Sequence, residues 1–247
     1  MKILALEFSS SQRSVAVVRG IGSGRAASGD SFSTHGPPST PEGTNREAAW
    51  EASEIVEMGA LGANAIGMID RALRQAQVER EQIECLAIGL GPGSYNGVRL
   101  AIAAAQGWQL ASSQDRIKLL GISSAECLAA EGREEGLAGR VNVLIDAQRG
   151  EFYLAGYYLS AAGCSQIEPL RVATLQELQQ REMAGERFIG PDVAARLRGG
   201  RRVFPRATTL GRLALGRNDF VAGQKLEPIY LRETNFVKAP PPRLLLP

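Results

Sequence analysis

One histidine serves the whole 247-residue chain, and that scarcity excludes several chemistries at once. A zinc peptidase or a metal-bearing transferase draws on paired histidines or a His/Asp cluster, and His35 has no HxxxH or HExxH partner. A serine hydrolase sets an imidazole beside its nucleophile, and no GxSxG elbow accompanies the only imidazole. Cysteine is nearly as rare. Cys85, Cys127 and Cys164 are odd in number, far apart and in no CxxC pattern, which suits small buried hydrophobes in a reducing compartment. Long apolar runs are missing too: none approaches the roughly 20 residues of a membrane span. The first apolar stretch, Ile3 to Phe8, is too short for a secretion signal and lacks a cleavage site. A cytoplasmic protein with no membrane contact is expected. Charge of one sign is also lacking, with 28 basic against 26 acidic residues, so the total demands no polyanionic partner. Only Arg187 to Arg217 is locally basic, with eight arginines and the single acid Asp192, a candidate face for RNA phosphates or a partner's carboxylates.

What is present is a strand-and-helix pattern that repeats. Lys2 to Phe8 and Ser14 to Arg19 read as a hairpin tipped by Glu7, followed by a Gly/Ser/Pro/Thr-rich loop over about 20–45 with at most one edge strand. Helical signal resumes near Arg46, with Met58, Leu61, Ala65, Ile69, Leu73 and Ala76 at three- and four-residue spacing. Cys85 to Leu90 predicts a buried strand, Ser94 to Ala111 a helix and Ile117 to Ile122 another strand. Ser123 then opens a helix with Glu126 at capping-box spacing. The second half reopens as the first did: Val141 to Ile145 ends at Asp146 and turns into the β-favouring run Glu151 to Leu159. Two acid-tipped hairpins point to two related lobes, 1–122 and 123–247, in an α/β fold with mixed sheets.

Between them lies IGLGPGSYNGVR, Ile88 to Arg99, a glycine turn from buried strand to helix. It fits neither phosphate fingerprint. Val98, not Lys, follows Gly97; the glycine spacing misses the dinucleotide pattern by one residue; and Pro92 removes a donor. Gly91, Gly93 and Ser94 nonetheless join Glu7 and Asp146 as candidate groups around a magnesium-bound nucleotide. The following helix is dense in small residues, so another helix can approach its backbone closely. Val98, Ala101, Ala104, Ala105 and Trp108, with Leu61 and Ile69 on the preceding helix, are the candidate partner interface.

In order, MKILALEFSSSQRSVAVV, GLGPGSYNGVRLAIAAAQGWQLA, VLIDAQRGEFYLAGYY and EPIYLRETNF resemble the TsaB family, the dimerisation subunit for bacterial tRNA threonylcarbamoyladenosine synthesis. The most specific match is GPGSYNGVR, Gly91 to Arg99, similar to the family's GPGSFTGLR; IDAQRGEFY and EPIYLR follow. The resemblance implies a two-lobed actin/sugar-kinase/chaperone-ATPase-like (ribonuclease H-like) fold. It also implies pairing with a TsaD-like catalytic subunit, an assembly joined by a TsaE-like ATPase, and tRNA contact through the complex. No catalytic residue, metal or resident cofactor is implied for this chain; Mg-ATP or ADP at a subunit interface is the one ligand in view, and a homodimer the alternative assembly. An older family label is glycoprotease-like.

The chain departs from the family at Glu7, where Asp is usual, and at MGALGAN, Met58 to Asn64, which replaces a polar stretch. Two other classes stay open at this point: a Mg-nucleotide ATPase or kinase built on the paired acids, and a glycoprotease-like hydrolase.

Overall fold

A computed structural model of the chain describes residues 1–21, 50–59, 64–112 and 116–231. Leu61, His35, Arg232 at the end of the EPIYLR motif and nearly all of the expected insertion lie outside the described residues.

The strands form two five-stranded sheets of the same design. The first runs β3 (Trp50–Met58), β2 (Gln12–Gly20), β1 (Lys2–Glu7), β4 (Cys85–Gly89), β5 (Lys118–Ile122). The second runs β8 (Gly163–Thr174), β7 (Glu151–Ser160), β6 (Gly139–Asp146), β9 (Phe188–Gly190), β10 (Arg201–Arg202). In each, an antiparallel three-strand meander continues into two parallel strands. The duplication that the acid-tipped hairpins suggest is therefore present in the strand order itself. This is the expected α/β fold with mixed sheets.

Helices α1 (Ala65–Ala76) and α2 (Tyr95–Ala111) cover one face of the first sheet, packing Met68, Ile69, Val98, Ala101 and Ala105 on Leu4, Leu6, Val15 and Val17. The other face, Ile3, Ala5, Ala16 and Val18, meets Leu210 and Ala214 of α5 (Ala207–Leu215). Cover on both faces explains why β1 reads as a near-continuous apolar run. In the second sheet, α3 (Ser124–Glu134) packs Leu128 and Ala129 on Val141, Val143 and Ala155. Opposite it, α4 (Leu175–Met183) contributes Leu178 to a cluster with Leu144, Phe152 and Phe188. The chain passes from the first sheet to the second after β5; α3 covers the second sheet, while α5, which follows the second sheet in sequence, returns to cover the first. Polar links tie these two helices: Arg212 to Glu134 at 2.6 Å, Arg217 to Glu126 at 3.2 Å, and the Thr209 hydroxyl to the Glu131 carboxylate.

Three local expectations change. Residues 50–58 form the edge strand β3, not the start of a helix, and α1 begins only at Ala65, capped by Asn64, which accepts from the Gly67 N–H at 2.8 Å. Strand β3 carries Glu51, Glu54 and Glu57 among mostly apolar residues, and pairing with β2 along its whole length overrides the helical propensity of EASE. Its glutamates pair with Arg19, Arg206 and Arg71, and charge along a sheet edge guards it against further pairing. Glu126 does not complete a capping box; it reaches Arg217, while Ser123 caps α3 alone by accepting from the Ala125 N–H.

Candidate functional site

The two hairpin acids, alike in sequence, have different surroundings. Glu7 is fully buried. Its Oε1 accepts from the Ser9 N–H at 2.8 Å, and its Oε2 accepts from the Ser124 hydroxyl at 2.9 Å. Burial pushes its carboxyl above the ordinary glutamate range, against the pull of the Ser9 and Ser124 hydrogen bonds. Asp146 is partly exposed; its Oδ1 accepts from the Gln148 N–H at 2.6 Å and its Oδ2 lies 3.5 Å from Arg196. Gln148, Arg149 and Gly150 all take positive φ, so Asp146 braces a tight left-handed turn.

The glycine turn packs against Glu7. The Gly91 N–H donates to the Ser124 hydroxyl at 3.2 Å, and the Ser124 N–H returns a bond to the Gly91 carbonyl at 2.7 Å. The Ser94 N–H donates to the Ser9 carbonyl at 2.6 Å, and its side chain caps α2 by accepting from the Gly97 N–H at 3.3 Å. At Gly93 (φ +149°) and Gly97, a Cβ would strike the carbonyl oxygens of Ser9 and Phe8. The glycines here serve close approach to the end of β1. The Gly91 and Ser94 N–H groups are spent inside the protein, so for Glu7 and this turn to hold a hydrated cation or phosphate, internal bonds must first break. Among the described residues, no group of three or more His, Cys, Asp and Glu side chains could hold a metal ion.

The helix pair offers a different surface. A groove of about 970 Å³ runs between α1 and α2, lined by Ile66, Leu73, Arg80, Ala104, Gly107 and Trp108. Ile66 is 78% exposed and Leu110 74%, with Leu100, Ala103 and Gly107 continuing the apolar outer face of α2. A correction follows for the interface candidates. Val98, Ala101 and Ala105 are fully buried against the first sheet, as is most of Ile69, because α2 is apolar on nearly every side and the sheet claims that face. Ala104 and Trp108 do line the groove. Trp108 lies largely buried under the Arg80 guanidinium, 4.6 Å from its ring centre, and its indole N–H has no acceptor among the described residues.

The arginine-rich segment is mostly committed internally. Arg187 binds the Ala138 and Arg140 carbonyls, Arg196 meets Asp146, Arg201 Glu135, Arg206 Glu54, Arg212 Glu134 and Arg217 both Glu126 and Asp219. Arg206 and Glu54 sit at the start of α5, where the Glu54 carboxylate also accepts from the Thr208 N–H at 3.1 Å, an anion at a helix N-terminus.

One cluster escapes a reading by local pattern. Tyr95, at the start of α2, stacks on Tyr230 with ring centres 5.3 Å apart and planes at 27°. The Arg99 guanidinium donates to the Tyr95 hydroxyl at 2.6 Å and lies 5.2 Å from its ring centre. Tyr95 and Arg99 belong to GPGSYNGVR and Tyr230 to EPIYLR, so two motifs far apart in sequence meet at one surface. Their shared specificity was the only available signal.

Comparison with known proteins agrees with this architecture. The family model TsaD, tRNA N6-adenosine threonylcarbamoyltransferase, matches residues 61–215. The tRNA threonylcarbamoyladenosine biosynthesis protein TsaB of Escherichia coli K12 is 28% identical over 182 residues, covering 67% of this chain and 78% of its own length. Its Bacillus subtilis counterpart is 29% identical over 133 residues, 53% of this chain and 56% of its own. The Haemophilus influenzae protein is 33% identical over 129 residues, 51% and 49% respectively. YeaZ from Pseudomonas aeruginosa shares the fold, with a TM-score of 0.69 at 24% identity over 93% of this chain and 99% of that one. With the family model TsaD spanning more than half of its length, the chain belongs to that family, and its curated relatives are TsaB proteins.

Proposed function

We propose that this chain is the non-catalytic scaffold subunit in tRNA N6-threonylcarbamoyladenosine synthesis, pairing through α1 and α2 with a TsaD-like catalytic subunit and supporting recruitment of a TsaE-like ATPase. The carrying observation is the outer face of the helix pair: Ile66, Leu100, Ala103, Gly107 and Leu110 present apolar or small side chains to solvent beside a 970 Å³ groove. Small residues on α2 let a partner helix approach the backbone, and Ile66 and Leu110 supply the apolar area that such contact buries. Scarcity of histidine and the internal use of Glu7 argue for a scaffold over a catalyst. Without its partner, the same face is suited to a second copy of this chain. Nucleotide, where it binds, belongs to the assembled interface.

The test is co-expression with the TsaD-like protein of the same organism. Gly107 is exposed and a Cβ there meets nothing within 4 Å, so Gly107→Arg is expected to leave the thermal melt of the lone chain within about 1 kcal/mol of wild type. Co-purification with the partner should be lost. An intact complex of unchanged mass would refute the proposal.

A further inference from the structure

We infer that Tyr95, Tyr230 and Arg99 form a platform on which an unpaired base of RNA stacks, with the Arg99 guanidinium meeting the adjoining phosphate. Tyr95 is 53% exposed and Tyr230 41%, so neither ring is spent on the core. Stacked at 27° on one another, the rings cover each other's facing sides, and the exposed remainder of the pair is an aromatic surface of the kind that takes a planar base irrespective of its identity. Arg99 is held beside that surface by the Tyr95 hydroxyl. Among the described residues it meets no carboxylate, and most of its five donors remain for an anion. The arginines of 187–217 offer a contrast, since six of the eight already face carboxylates or carbonyls of this chain. Partial burial, and then the neighbouring Tyr95, raise the Tyr230 hydroxyl above the ordinary tyrosine range, so the ring stays neutral and does not repel phosphate. Charge and planarity together favour RNA here over an apolar protein side chain.

The inference rests on the tRNA-modification reading above, and the experiment separates the two. The full chain is assembled with its TsaD-like partner and titrated into an anticodon stem–loop RNA carrying 2-aminopurine in its loop. Stacking should quench the probe. Tyr230→Ala and Tyr95→Ala should each weaken binding about tenfold, Tyr230→Phe should retain it, and Arg99→Ala should reduce the salt dependence by about one ion. Thermal melts confirm that these exposed variants fold. The platform is overturned if the alanine variants bind RNA as wild type does, and a loss of partner in those variants would mark the cluster as a subunit contact. An assembly that forms yet binds no RNA also overturns it while leaving the scaffold standing. Failure of wild type to assemble removes the scaffold, and the same titration on the chain alone then decides the platform.

Discussion

The two lobes share one strand order and differ in how they hold the helix that follows the meander. In the first, α1 buries Ala65, Met68, Ile69 and Ala72 in an apolar core. In the second, α4 buries only Leu178 and is held by charge. Arg181 donates to Glu168 at 2.8 Å, to Glu186 at 2.9 Å and to the side-chain amide Oδ1 of Asn142 at 3.2 Å, while Arg171 bridges Glu168 and Glu177. The next helix differs as well: where the first lobe has the 17-residue α2, the second has a three-residue 3₁₀ turn at Val193–Ala195. One strand order can thus carry a broad apolar outer face on one lobe and a compact, salt-laced edge on the other. Apolar attachment leaves the outside of the helix pair free to be sticky; charged attachment does not.

The sharpest way to break this comparison is at the close approach both lobes share. At or beyond the end of the fourth strand of each lobe, a glycine presses on a carbonyl near the end of the first: Gly97, past β4, on Phe8, and Gly190 (φ +157°), the last residue of β9, on Leu144. Gly97→Ala and Gly190→Ala should each destabilise by about 3 kcal/mol or more, read by denaturant titration. Hydrogen exchange should show both lobes losing protection together. If only the substituted lobe loosens, the packing of α5 on the first sheet and its polar links to α3 do not couple the halves.

A smaller effect tests the charge network. Arg181→Met keeps the stem but leaves Glu168, Glu186 and Asn142 without their shared donor, and should cost about 2–3 kcal/mol in thermal or denaturant unfolding. Little change would mean that Leu178 alone anchors α4.

Smallest is the response to pH, where two sets of glutamates should oppose one another. Hydrogen bonds to Arg181 and Arg171 hold Glu168 and Glu177 below the ordinary glutamate range, so their stabilisation is present above the usual pKa of about 4.3 and lost as pH falls through the lowered values. Burial holds Glu7 and Glu131 above that range, so their contribution is fullest below about 4.3 and declines as pH rises toward the raised values. Mild acid should therefore loosen α4 while tightening the Glu7 turn, as segment-resolved hydrogen exchange can follow. Glu7→Gln should flatten the second trend, and a Glu7→Gln protein with unchanged pH dependence would show that this carboxyl does not titrate with folding.

Much of the fold was legible because its strands are buried on both faces and read as apolar runs of the right length. The acid-tipped repeat was legible for the same reason, being local. What escaped was decided at a distance. Strand β3 has helix-favouring glutamate and alanine, and becomes a strand only by pairing with β2. Glu126 sits at capping-box spacing yet answers to Arg217, 91 residues away. Periodicity cannot orient α2, since alanine occupies both its faces, and so Val98, Ala101 and Ala105 read equally as core or as interface until the sheet claims them. Glu7 and Asp146 look equivalent in sequence, and only the approach of Ser124 from α3 makes the first a buried anchor. The Tyr95–Tyr230 stack joins segments that no window of sequence contains together.

The return of α5 to the first sheet also sets an order of events at the ribosome. The N–H of Ala207, which opens α5, donates to the Ser14 hydroxyl across 193 residues of chain. Until that helix emerges, Ile3, Ala5, Ala16, Val18 and their neighbours in the first sheet have no cover on one side. Such long-range closure is slow and leaves apolar surface open in the interval. The half of the molecule made first is therefore finished last, and a nascent chain stalled before Arg206 should be a strong client for holdase chaperones.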